Sequence, residues 1–98
     1  MSPVFSVQVT TRFDRDYRKL LRVHPDIAEQ YARVVSILSD DPYNQRGSHP
    51  IKKLGGVKPG DGQYRIKFLR YRFIYDIDRQ TVWLKLCRLR NEGTYKLS

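Results

Sequence analysis

The stretch GQYRIKFLRYRFIYDID, residues 62–78, decides how this chain folds. Basic residues alternate with aromatic and aliphatic ones, the period of a half-buried strand. Midway the apolar phase slips: Tyr64, Ile66 and Phe68 are even-numbered, whereas Tyr71, Phe73, Tyr75 and Ile77 are odd-numbered. One straight strand would put half of that set in water. A two-residue turn at Leu69-Arg70 removes the conflict, because it sets Phe68 opposite Tyr71, Lys67 opposite Arg72, Ile66 opposite Phe73 and Tyr64 opposite Tyr75. Cross-strand partners share a face. The apolar residues then form one face, and Arg65, Lys67 and Arg72 gather on the other. Leu-Arg is poor turn chemistry, since tight hairpins favour Asn or Gly, so a slightly longer loop stays open.

The same logic extends downstream. A second turn at Arg79-Gln80 sends Val82, Leu84 and Leu86 to the core and Trp83, Lys85 and Cys87 to the basic face. Arg88 and Arg90 end the third strand, where a bulge or shift could bring either one to the cluster.

Upstream, Phe5, Val7 and Val9 alternate with polar residues, giving a strand over 4–10. Thr11-Arg12-Phe13-Asp14 has the spacing of a helix start. Phe13, Tyr17, Leu20 and Leu21 carry that helix to about Arg22. His24 sits at the junction as a cap, and Pro25 suits the first turn of the next helix. Ile27, Tyr31, Val34, Val35 and Leu38 line its inner side as far as Ser39. Asp40-Asp41-Pro42 reads as a helix end and turn, Ile51 to Leu54 as a short extended piece, and Pro59-Gly60-Asp61-Gly62 as loop. The expected architecture is a single α+β domain over 1–98, ordered β-α-α-β-β-β: an N-terminal strand and helical hairpin packed on a small antiparallel sheet.

Charge narrows the partners. Lys and Arg number 19 against 10 Asp and Glu, a net charge of +9, and such an excess on a small surface suits a polyanion. Between residues 65 and 90 stand eight cations and two aspartates, so the excess is local. Cations interleaved with Tyr71, Trp83 and Tyr95 suit phosphate contact combined with base stacking. No apolar run reaches the ~18 residues of a membrane span, and the N-terminus lacks a signal-peptide layout. A soluble, cytoplasmic protein without membrane partners is expected. The single cysteine, Cys87, reads as core packing in a reducing compartment. No metal site or other cofactor is expected, since Asp40-Asp41 lacks the company of a ligand cluster.

The run KKLGGVKPGDGQYRIKFLRYRFIYDIDRQTVWLKLCRLRNEGTYK resembles the C-terminal half of the RelE/ParE toxins of type II toxin–antitoxin systems. The marks are KKLGG, YRIK and YRFIYDID, followed by a hydrophobic strand ending in basic residues and a tyrosine. The N-terminal strand and helical hairpin closed by LSDDPYN agree in outline. For a RelE-like member, the resemblance implies a ribosome-dependent endoribonuclease that cuts mRNA without metal and so inhibits translation. Its implied partners are the ribosome with mRNA and a cognate antitoxin, through which the complex could bind operator DNA. The implied catalytic set is Arg65, Lys67, Arg72, Arg90 (or Arg88) and Tyr95, with Lys52, Lys53, Lys85 and Arg88 contacting RNA. The connection between Lys67 and Arg72 is shorter than in typical RelE members. A gyrase-directed ParE-like protein and a non-catalytic RNA-binding module are the alternatives.

The cleavage implied is attack of a 2′-OH on the adjacent phosphate, needing a base, an acid and a clamp for developing charge. His49, in the loop before Lys52 and Lys53, is one route to a base. Lys67 is another: beside Arg65 and Arg72 its usual pKa of about 10.4 is expected to fall through like-charge repulsion. On this reading Lys67 or Tyr95 handles protons, while Arg65, Arg72 and Arg90 stabilise the phosphorane.

Overall fold

A computed structural model describes residues 4–89, and the expectations for Arg90 and Tyr95 lie outside them. The chain runs β1 (Ser6–Val9), α1 (Thr11–Val23), α2 (Ile27–Asp40), β2 (Ile51–Lys53), β3 (Tyr64–Phe68), β4 (Tyr71–Asp78) and β5 (Thr81–Leu89). The strands form one five-stranded sheet in the order β1-β5-β4-β3-β2. The short extended piece after Pro50 is thus a true edge strand.

The expected all-antiparallel sheet needs one correction. β1 pairs with β5 in parallel, Val7 beside Val82 and Val9 beside Leu84, whereas every other pairing is antiparallel. Parallel neighbours need a long crossover, and the helices together with the β2–β4 segment lie between these two strands. The result is α+β with a mixed sheet.

α1 begins where β1 ends. The cap is Thr10 rather than Thr11: its hydroxyl accepts the amide of Phe13 at 3.1 Å and lies 3.2 and 3.4 Å from the carbonyls of Leu84 and Lys85. One side chain thereby starts the helix and ties it to β5. His24 caps α1 at its C-terminus, its amide donating to Leu20 at 2.7 Å. Pro25 precedes α2 rather than opening it.

The helices cover one face of the sheet, with Phe13, Ile27, Val34 and Leu38 meeting Ile66, Tyr71, Phe73, Tyr75, Val82, Leu84 and Cys87. Buried hydroxyls need partners, and both core tyrosines have one. Tyr75 donates to the carbonyl of Pro42 and Tyr71 to the carboxylate of Asp26, each at 2.7 Å. The Tyr71 hydrogen bond, aided by the Arg70 and His24 charges, holds Asp26 below the ordinary carboxylate range. These two bonds fasten the helical hairpin to β4. No helix among the described residues is long and apolar enough to cross a membrane.

Candidate nucleic-acid interface

The β3–β4 hairpin has the register that the phase slip requires: Phe68–Tyr71, Lys67–Arg72, Ile66–Phe73 and Tyr64–Tyr75. The turn is Leu69-Arg70 without extension. Leu69 has φ +53° while Arg70 stays at negative φ, a pattern of the II′ hairpin, which normally places glycine first. Arg79 repeats it at the next turn with φ +59°. The residue types disfavour both turns, yet burial of the paired apolar sets fixes them.

Lys52 pairs with Arg65 across β2 and β3, Lys67 with Arg72 across β3 and β4, and Arg72 with Arg88 across β4 and β5. Partners share a face and stand about 5 Å apart at Cα. Lys52, Arg65, Lys67, Arg72 and Arg88 therefore form a band across four strands, on the face opposite the helices. Arg65, Lys67 and Arg72 are partly buried, whereas Lys52 and Arg88 are exposed. The Nε of Arg72 is buried and has no hydrogen-bond partner among the described residues. A guanidinium carries five donors in a fixed fork, so this arrangement suits an anion with several oxygens.

Arg88 reaches the band through a bulge. The β4–β5 register shifts between Ile74, which pairs with Leu86, and Tyr75, which pairs with Leu84, leaving Lys85 as the extra residue. Beyond it each side chain changes face relative to the expected alternation. Two expectations are corrected accordingly. Leu86 lies on the basic face opposite Ile74, and Cys87 lies in the core opposite Phe73 at 3% exposure. Burial, with a smaller contribution from the charge of Asp16, pushes the Cys87 thiol up to about 12. This cysteine packs rather than reacts.

Other predicted residues fall outside the band. Lys53 pairs with Tyr64 on the helix side, its ammonium 5.8 Å from that ring's centroid. Lys85 approaches Asp76, Nζ to Oδ2 at 4.0 Å. His49 points to Asp41, with Nε2 3.8 Å from Oδ2, and so belongs to the loop after α2. Asp41 organises that loop by accepting the amides of Gln45 at 2.8 Å and Arg46 at 3.1 Å. Burial opposes its ionised form, but those hydrogen bonds and the charges of His49 and Arg46 outweigh burial and hold the carboxyl below its ordinary value.

The sequence reading missed Asp76. Its buried carboxylate accepts the amides of Gly62 at 2.8 Å and Gln63 at 2.9 Å, folding the 59–62 loop onto the basic side of the sheet. Gly62 has φ +89°, and a Cβ there would collide with Cγ2 of Ile74. The loop, Thr10, Asp76, Trp83 and Lys85 enclose an open cleft of about 540 Å³. The only signal was an aspartate where the strand alternation places basic residues, preceded by a glycine-rich turn.

No protein-family profile and no curated protein matches the sequence. Two solved structures do match the fold. A chain of the archaeal RelE–RelB complex from Pyrococcus horikoshii superposes with a TM-score of 0.67 at 20% identity, covering 92% of this chain and 99% of that one. A chain of the RelBE2 toxin–antitoxin complex from Mycobacterium tuberculosis superposes with a TM-score of 0.68 at 26% identity, covering 90% of this chain and 99% of that one. Likeness over nearly the whole of both chains gives this protein the RelE-like α+β fold and supports its place in the RelE-like toxin superfamily.

Proposed function

We propose that this protein is the toxin of a toxin–antitoxin pair and that it cuts ribosome-bound mRNA as a metal-independent endoribonuclease. The observation that carries this reading is the band Lys52–Arg65–Lys67–Arg72–Arg88, which the strand register puts on one face without an intervening carboxylate. Five adjacent cations disfavour one another, and a phosphodiester backbone relieves that repulsion. In the proposed step the 2′-oxygen bonds to phosphorus, the P–O5′ bond breaks, and a 2′,3′-cyclic phosphate and a 5′-hydroxyl result. Lys67 is our candidate for taking the 2′-proton, and Tyr95 for supplying one to the leaving oxygen. Arg65, Arg72 and Arg88 hold the phosphorane charge, Arg88 replacing Arg90 because its register partner is Arg72. An antitoxin with an acidic segment would mask the same band. The protein's likeness to chains from two toxin–antitoxin complexes supports that partner.

The test is primer extension on mRNA from cells induced for wild type, Arg72→Ala and Arg88→Ala, with circular dichroism confirming the folded variants. Each lost donor is expected to slow cutting by about 10²–10³-fold. Folded variants that cut at the wild-type rate would overturn the assignment. Intact mRNA together with inhibited DNA supercoiling by gyrase would move the protein to the ParE-like alternative.

A further inference from the structure

The basic band explains phosphate contact but leaves the other end of the same face unaccounted for. There Trp83 sits beside Asp76 and Gln8, 36% exposed on a sheet whose other aromatic strand residues pack toward the helices. It lines the 540 Å³ cleft with Lys85, Asp78, Pro59 and Gly60. A second cleft of about 420 Å³ adjoins it through Thr10, Gly60 and Lys85, and adds Arg12 and Asp61. Volumes of this size suit a small ligand, and the wall is built: Asp76 clamps the loop by two amide hydrogen bonds.

The charge of the clefts is mixed. Asp76 and Asp78 beside Trp83 make that end a poor place for a phosphate, whereas Lys85 and Arg12 lie toward the second cleft. What fits an exposed indole flanked by a carboxylate is an uncharged aromatic ring with an amino donor at its edge. Arg72 and Asp76 are four residues apart on β4, roughly 13 Å at the rise of a strand, so a short single-stranded segment can reach both.

The geometry points to a nucleobase subsite: Trp83 stacks on the base of a nucleotide one or two steps along the strand from the phosphate held at the basic band. Asp78 accepts from the exocyclic amine of that base, and Lys85 with Arg12 receives the adjoining phosphate. This assignment rests on the proposed RNA substrate and deepens it, because it makes Trp83 a determinant of which nucleotide the protein accepts. Every base has a π-face, so stacking supplies affinity and Asp78 supplies preference for adenosine over uridine.

Trp83 is the chain's one tryptophan, and its emission therefore reports this site alone. The ligand for the test is a 2′-O-methyl hexanucleotide, which lacks the attacking hydroxyl and stays intact. Anisotropy of a labelled copy measures total binding, and tryptophan emission measures occupancy of the subsite. Binding is expected to quench Trp83, and Trp83→Ala to weaken affinity by roughly 5- to 160-fold, the range of one stacked base, while Trp83→Phe keeps most of it. An abasic position scanned through the oligonucleotide should reproduce the loss in wild type at one site and add nothing in Trp83→Ala. Salt-sensitive binding that leaves Trp83 emission and Trp83→Ala affinity unchanged would remove the subsite and leave the proposed function standing. No binding by anisotropy and no mRNA cutting in cells would remove both.

Discussion

Three glycines of one loop provide a graded test of how the basic side of the sheet is built. Gly55 has open space around its Cα hydrogen and no left-handed backbone. Gly60 has φ +94° with open space, and Gly62 has φ +89° with Cγ2 of Ile74 in the way of any Cβ. Alanine at Gly55 restricts only the unfolded chain, and a stabilisation of about 0.4–1 kcal/mol is expected. Alanine at Gly60 adds the left-handed penalty of about 1–2 kcal/mol, for a small net loss. Alanine at Gly62 carries that penalty and drives a methyl into Ile74, itself 8% exposed, where overpacking costs roughly 1–3 kcal/mol. The loop can escape only by moving off Asp76 and breaking its two hydrogen bonds, so we expect a loss of about 2–4 kcal/mol. In a domain of this size each kcal/mol shifts Tm by roughly 4–8 °C. Urea unfolding and thermal melts of the three variants give the ranking. Equal effects at Gly60 and Gly62 would refute the claim that the loop lies against Ile74, and a destabilising Gly55→Ala would refute its open surroundings.

Two further outcomes probe the framework behind the interface. Tyr75→Phe leaves the Pro42 carbonyl without its 2.7 Å donor, which should cost about 1–3 kcal/mol in urea unfolding with the m-value unchanged; no loss would mean that water already serves that carbonyl. Asp41 is held below its ordinary value of 3.8, so its contribution is complete above that pH and disappears as pH falls through the lower folded value. The stability difference between wild type and Asp41→Asn should therefore shrink on acidification below pH 3.8, and a difference constant with pH would show that Asp41 does not carry it.

The hairpin was legible in the sequence because burial leaves a period-2 record. Phe73 and Ile66 cannot share a face unless the chain reverses between them, and no turn propensity was needed to see it. β1 left no such record of direction. Val7 and Val9 announce a half-buried strand, but alternation is identical for parallel and antiparallel neighbours. A bulge was one of the two routes the sequence left open for bringing Arg88 or Arg90 to the cluster, but its position at Lys85 was not read. In VWLKLCRL the apolar phase passes from Val82 and Leu84 to Cys87 and Leu89, a slip of the kind that reveals the first hairpin. Both slips span two residues, Leu69-Arg70 in the first and Lys85-Leu86 in the second, so the pattern by itself is the same for a turn and a bulge. Distinguishing them requires the partner strand, because only the fixed pairs Phe73–Cys87 and Tyr75–Leu84 show that one residue is extra.

That extra residue does more than correct an alternation. Without the bulge, Arg88 would fall on the helix side, Cys87 would face outward, and the cationic band would end at Arg72. The bulge lies where Thr10 reaches the carbonyls of Leu84 and Lys85, at the start of α1, so the helix cap and the irregularity that places Arg88 meet at the same two residues. It also divides the face in two. On one side of Lys85 the register delivers Arg88 to Arg72, and on the other it delivers Trp83 to Asp76. A continuous strand would place these two residue types on opposite faces, since positions 83 and 88 differ in parity. One inserted residue therefore puts the cationic band and an exposed indole on a single surface, the pair of contacts that the proposed single-stranded RNA substrate would use.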